Sequence, residues 1–187
     1  MRSPHYFIVK PKSRERYSAE REINGSRFTL SSFEEDVSIT NREGIVISVP
    51  LHYTGEIKPG DTLLIHHNVF RHHSDIQGKR VNDKSFFSEN EFFVDIDQFF
   101  MYKRNGEWQS HDRYCFVKPI RVKTTGIKDG SKYEPLKAVM VYPNKMLIDK
   151  GVKRGDVIGH IPHVEYPFTV DGEELYRLFD HHISLKY

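Results

Sequence analysis

Tyr6-Phe7-Ile8-Val9-Lys10-Pro11 returns 108 residues later as Tyr114-Cys115-Phe116-Val117-Lys118-Pro119, keeping Tyr, Val, Lys and Pro in place. One six-residue match carries little weight, but two more follow in the same order. Ile57-Lys58-Pro59-Gly60-Asp61-Thr62-Leu63-Leu64 matches Val152-Lys153-Arg154-Gly155-Asp156-Val157-Ile158-Gly159 at an offset of 95. The stretch from Glu91 to Lys103 matches that from Glu174 to Lys186 at an offset of 83. Colinear matches of this kind are what an internal duplication leaves behind. The falling offset predicts that the second copy is shorter by about a dozen residues in each of two intervals, in surface loops where deletions are tolerated.

The matched blocks are rich in β-branched and aromatic residues, and no long stretch sustains a 3.6-residue period, so they read as strands. Gly44 to Val49 and Leu136 to Tyr142 are further strands, each stopped by a proline that cannot donate to a ladder. Turn signals recur at Pro59-Gly60-Asp61, Asn105-Gly106, Lys128-Asp129-Gly130 and Asp171-Gly172. The expected fold class is all-β, as two tandem small barrels with little helix. The first barrel spans 1–105 with a long loop over 13–42, a linker covers 106–112, and the second barrel spans 113–187 with shortened loops.

A length of 187 residues allows one or two domains, and 37% hydrophobic with 13% aromatic residues can supply their cores. The longest aliphatic runs, such as Leu63-Leu64-Ile65 and Val139-Met140-Val141, fall far short of the roughly 20 apolar residues of a membrane helix, so no membrane partner is expected. The opening Met1 to His5 leads straight into a strand-like stretch without the apolar core of a secretion signal, and Cys115 is the only cysteine. A reducing, cytoplasmic location is expected, in which the sequon Asn24-Gly25-Ser26 has no role. Lys and Arg are interspersed with Asp and Glu at a net charge of +2, which argues against a nucleic-acid stripe. Protonating all 11 histidines would carry the formal charge from +2 to +13, so acidification should change self-repulsion strongly.

The order of the blocks resembles the GroES-type co-chaperonins. Pro4, His5, Val9 and Lys10 fall on that family's opening motif, Gly44 to Val49 on the strand after its loop, Lys58 with Gly60-Asp61 on its turn, and Phe93 to Tyr102 on its closing strand. In the second copy Asp112-Arg113, Val117-Lys118, Lys153, Gly155-Asp156 and Leu175 to Leu185 take the same places. The tandem arrangement is similar to the double-barrel co-chaperonins of plastids. The resemblance implies a ring of like subunits that caps or modulates a chaperonin through a flexible loop, here Ser13 to Arg42. Where the family has a Gly-Gly-hydrophobic-x-hydrophobic anchor, this chain offers Ile23-Asn24-Gly25 and Phe28-Thr29-Leu30, so Ile23, Phe28 and Leu30 are the implied docking residues. A weak loop on each member of a ring gains by avidity. The resemblance also implies that neighbours join opening strand to closing strand, assigning the interface to Tyr6, Phe7, Ile8 and Val9 and to Ile183, Leu185 and Tyr187. Two barrels per chain make the number of barrels in a closed ring even. The alternative reading is a noncatalytic scaffold ring of a larger, even viral, assembly.

Catalysis and cofactors are not expected. There is no Gly-x-Ser-x-Gly elbow, and Cys115 matches Phe7, a core position for a small hydrophobe. Gly78-Lys79-Arg80 lacks the rest of a phosphate loop and reads as a turn. Asp95 and Asp97 have same-face spacing on a strand, which would make them the solvated side of a strand burying Val94 and Ile96. The phenylalanine pairs at 86–87, 92–93 and 99–100 read as burial on both faces rather than base stacking. His66, His67, His72 and His73 are the only weak metal candidates, and neighbours on a strand point to opposite faces, with Arg71 among them to repel a cation.

Overall fold

The computed structural model describes residues 2–13, 20–23, 26–29, 42–71, 73–74, 76–77, 80–81, 84–122 and 133–187. They divide into two units, Met1–Glu107 and Trp108–Tyr187. The first contains β1 (Phe7–Pro11), β2 (Glu20–Ile23), β3 (Ser26–Thr29), β4 (Glu43–Ser48), β5 (Thr62–Ile65), β6 (His73–Ser74), β7 (Arg80–Val81), β8 (Phe86–Ser88), β9 (Glu91–Val94) and β10 (Phe99–Arg104). β11 (Glu107–Ser110) carries the chain across the division, so most of the expected linker is a strand. The second unit follows with β12 (Tyr114–Arg121), β13 (Tyr133–Tyr142), α1 (Lys145–Asp149), β14 (Val157–His160), β15 (Tyr166–Val170), β16 (Glu173–Phe179) and β17 (Ile183–Lys186).

The fold is all-β with little helix, as the strand-like blocks predict. One sheet runs β11-β10-β5-β4-β1-β9-β8 and the other β15-β16-β12-β13-β14-β17, while β2-β3 and β6-β7 form separate two-stranded ladders. Among the described residues these ladders do not include a pair joining the two outer strands of either sheet, so the barrel expectation narrows to one antiparallel sheet per unit. No helix there is long and apolar enough to cross a membrane.

The two sheets share one wiring. Ile8 faces Ser48 and Val9 faces Val46, with a bulge between them, and Phe116 faces Tyr142 and Val117 faces Met140 with a bulge at the same place. Thr62 pairs with Ile45 as Val157 does with Val139, keeping the offset of 95 read from the sequence. Phe92 and Val94 pair with Val9 and Phe7, and Tyr176 and Leu178 with Val117 and Cys115. That register sets the last block at an offset of 84, not the 83 that matching Glu91 to Glu174 suggests. The correction matters, because a slip of one residue turns every side chain to the other face. It holds further along, where Phe99 and Met101 pair with Ile65 and Leu64 as Ile183 and Leu185 do with His160 and Gly159.

The turn before β5 and β14 is built identically. Gly60 and Gly155 adopt φ of +95° and +92°, a region that glycine enters without the Cβ penalty. The Asp61 carboxylate accepts the Lys58 N–H at 2.8 Å, and that of Asp156 accepts the Lys153 N–H at 2.7 Å. Each acid also holds a cation from the strand alongside: Arg104 reaches Asp61 at 2.7 Å, and Lys186 reaches Asp156 at 2.7 Å. Burial separates the two pairs, since Asp61 is nearly buried and Asp156 partly exposed. Asp61→Ala is therefore expected to cost about 2 kcal/mol, and Asp156→Ala less, in urea unfolding.

Each expected closing strand is broken in two. Between β9 and β10 the chain turns at Asp95–Gln98, where the Gln98 side-chain oxygen accepts the Asp95 N–H at 2.9 Å. In the second unit His182 Nδ1 accepts the Phe179 N–H at 3.4 Å across the 3₁₀ turn Asp180–His182. Asp95 and Asp97 are thus turn residues, and Ile96 is 50% exposed, which corrects the expectation that Ile96 is buried on a strand between them. The phenylalanine pairs divide: Phe92, Phe99 and Phe100 are buried, whereas Phe86, Phe87 and Phe93 keep partial exposure.

Candidate interaction surfaces

The opening-strand interface does not survive as an edge. β1 is bonded on both sides, to β4 and to β9, and Phe7, Ile8 and Val9 are at most 3% exposed. Neither flank of this strand is left for a neighbour. Only Tyr6, just before it, is exposed, with its ring 5.6 Å from that of Phe93. The closing strand differs. Among the described residues β17 ends its sheet and pairs with β14 alone, and Leu185 and Tyr187 are 57% and 62% exposed, with Ile183 partly buried. Lys186 secures β17 from below through Asp156 and the Gly151 carbonyl, at 2.7 Å each.

The loop expected over 13–42 contains the β2-β3 hairpin. Glu20, Arg21, Glu22 and Ile23 pair with Thr29, Phe28, Arg27 and Ser26. Directly opposed residues share a face and alternate residues along a strand do too. That register sets Ile23 opposite Ser26 and Phe28 opposite Arg21. Leu30 lies outside the described residues.

His66 and His67 come together because the strand ends at Ile65 and the chain enters a 3₁₀ turn, His67–Val69. Their ring centroids are 4.1 Å apart, which overturns the opposite-faces expectation. His66 Nδ1 accepts the Asn68 N–H at 3.2 Å and is thereby occupied. His72 lies outside the described residues and His73 pairs with Val81 in the β6-β7 ladder. Among the described residues no three His, Cys, Asp or Glu side chains are grouped to hold a metal.

Burial, then the neighbouring His66, Arg42 and Arg71, push the His67 imidazole down to about 4. The unfolded chain takes up a proton near pH 6.5 that the folded chain refuses until about pH 4, so stability falls as pH drops through that window and levels below it. His67→Gln is expected to recover about 1 kcal/mol at pH 5 relative to pH 7.5 after solvent screening is allowed for, read by urea unfolding at both values.

Cys115 sits in the second core opposite Leu178, as Phe7 sits opposite Val94 in the first. Burial, with Asp180 nearby, pushes its thiol up to about 12. A thiol reagent should therefore label native protein at the rate of unfolding and unfolded protein at once.

No protein-family model and no curated protein matches the chain.

Proposed function

We propose that this is a noncatalytic, ring-forming protein of GroES co-chaperonin type, assembled through the free edge of β17 and meeting a chaperonin with the β2-β3 hairpin. What carries the reading is that the family's order of blocks occurs twice, each time with the Lys-x-Gly-Asp turn tied to the strand alongside. The edge of β17 supplies the joining surface: a row of backbone groups with Leu185 and Tyr187 exposed is a template for another strand. Ile23 and Phe28 are the apolar residues of the two hairpin strands, and an apolar groove is what such anchors suit, giving both affinity and release.

Light scattering tests the ring. The intact chain should form a closed oligomer, and removal of Ile183–Tyr187 should release monomers or small species. Leu185→Lys, at an exposed position, should do the same without loss of fold, since a charged edge resists pairing. A monomeric parent, or a Leu185→Lys variant that stays assembled, refutes the ring. The docking half is read separately: serine at Ile23, Phe28 and Leu30 together should abolish co-elution with a chaperonin in the presence of nucleotide and leave the oligomer unchanged. A parent that never co-elutes removes the chaperonin from the reading.

A further inference from the structure

The twin registers expose a difference between the two cores. In the first unit Ile65 and Phe92, at most 1% exposed, close one end of the core, and Phe70 packs edge-on against Phe92 at 4.9 Å. In the second unit the register puts His160 and Tyr176 in place of Ile65 and Phe92. There, instead of a plug, the surface holds a cleft of about 450 Å³ whose lining includes His160, Tyr176, Tyr133, Glu134, Glu165 and Glu174. Leu178 and Tyr176 point from β16 toward the core, so Glu174 two residues on continues the same line into the mouth.

Two apolar core positions have thus become polar only where the core opens. His160 is 5% exposed, and its Nδ1 lies 3.0 Å from the Ile161 carbonyl, an acceptor, so Nδ1 carries the proton. The same nitrogen is the atom near Glu165, at 3.5 Å, which leaves Nε2 without a protein partner among the described residues. Glu174 accepts from the Tyr133 hydroxyl at 2.6 Å, and no lysine or arginine among the described residues pairs with Glu134, Glu165 or Glu174. Lys137 also lines the cleft, but its ammonium lies over the Tyr187 ring, 4.8 Å from the centroid. The rings of Tyr133 and Tyr176 meet edge to face at 6.4 Å. Burial, and then Glu174, Tyr133 and Glu165, raise the Tyr176 hydroxyl.

We propose that this cleft is a receptor for a guanidinium group, an arginine side chain of a second polypeptide. A guanidinium is the cation that matches the walls: it is planar, packs flat on aromatic rings, and carries five donors for several acceptors at once. The Glu165 and Glu174 carboxylates supply charged acceptors, His160 Nε2 supplies a neutral one, and Tyr176 supplies the face. The inference stands on the second unit alone and is independent of the ring reading.

The probe is N-acetyl-L-arginine methylamide, added to the full chain and followed by NMR on the His160 and Tyr176 signals and by calorimetry. The expected result is saturable binding at one site, with the isosteric but uncharged citrulline derivative failing to bind. Glu165→Gln and Glu174→Gln should each weaken binding about tenfold while the circular dichroism is unchanged. His160→Ile, which installs the residue of the first unit, should weaken it less, because a neutral acceptor is lost. Equal binding of the citrulline derivative, undiminished binding by both glutamine variants, or no saturable shift at either residue would overturn the assignment.

Discussion

Phe70→Ala is expected to lower the unfolding free energy of the first unit by about 3–5 kcal/mol, the usual cost of emptying a buried aromatic site. Phe70 is fully buried, edge-on to Phe92, and lies close against Gly44. A Cβ at Gly44 would sit 3.3 Å from Phe70 Cζ and 3.4 Å from the Val9 side chain. Gly44→Ala alone should therefore cost about 1 kcal/mol through crowding. In the Phe70→Ala background the same methyl enters vacated space, so the pair should be less harmful than the sum of its parts by about 1–2 kcal/mol. Urea unfolding of the four proteins closes the cycle. Strict additivity would mean that the two sites do not share the space the distances assign to them.

Asn144→Leu should cost about 2–4 kcal/mol in the second unit. Asn144 is 1% exposed and satisfies three groups: its oxygen caps α1 by accepting the Leu147 N–H at 2.9 Å, and its amide nitrogen donates to the Asp112 carbonyl at 2.9 Å and to the Asp180 carboxylate at 2.8 Å. Losing the cap costs about 1 kcal/mol, and stranding a buried carboxylate costs about 1–3 more. Asn144→Ser restores an oxygen cap but not the amide donor, so it should recover about 1 kcal/mol of the loss. Full recovery by serine would locate the whole effect in the cap and none in Asp180. Thermal unfolding followed at α1 and at Trp108 distinguishes the two outcomes.

What the residues disclosed in advance is what they decide locally. The Lys-x-Gly-Asp turn is readable because a positive φ asks for glycine and a side-chain oxygen three residues from an N–H asks for aspartate; neither needs a distant partner. The strands β1 and β12 are readable from their runs of β-branched and aromatic residues and from the repeated six-residue block. Three things were hidden. The break at Asp95–Gln98 is made by a side-chain oxygen standing in for a carbonyl, and no alternation of apolar residues records that. The central place of β1 depends on Val46 and Val94, which arrive from far along the chain, so an opening strand could not be told from an edge. The cleft was legible only in one respect: at the offset of 95, His160 replaces Ile65, and a histidine at a matched core position was the available sign. Glu174 was paired with Glu91 at an offset one residue short, which concealed that it follows Tyr176 out of the core.

The position shared by Gly44 and Ala138 also bears on how the chain avoids error while it folds. Two segments with interchangeable registers invite exchange, since β13 could in principle lie beside β1 as readily as β4 does. Ala138 would then bring its methyl group against Phe70, where a Cβ meets the ring at 3.3 Å and the ring must give way. One absent carbon would thus weight the pairing toward the proper partner by about 1 kcal/mol, the cost of that crowding.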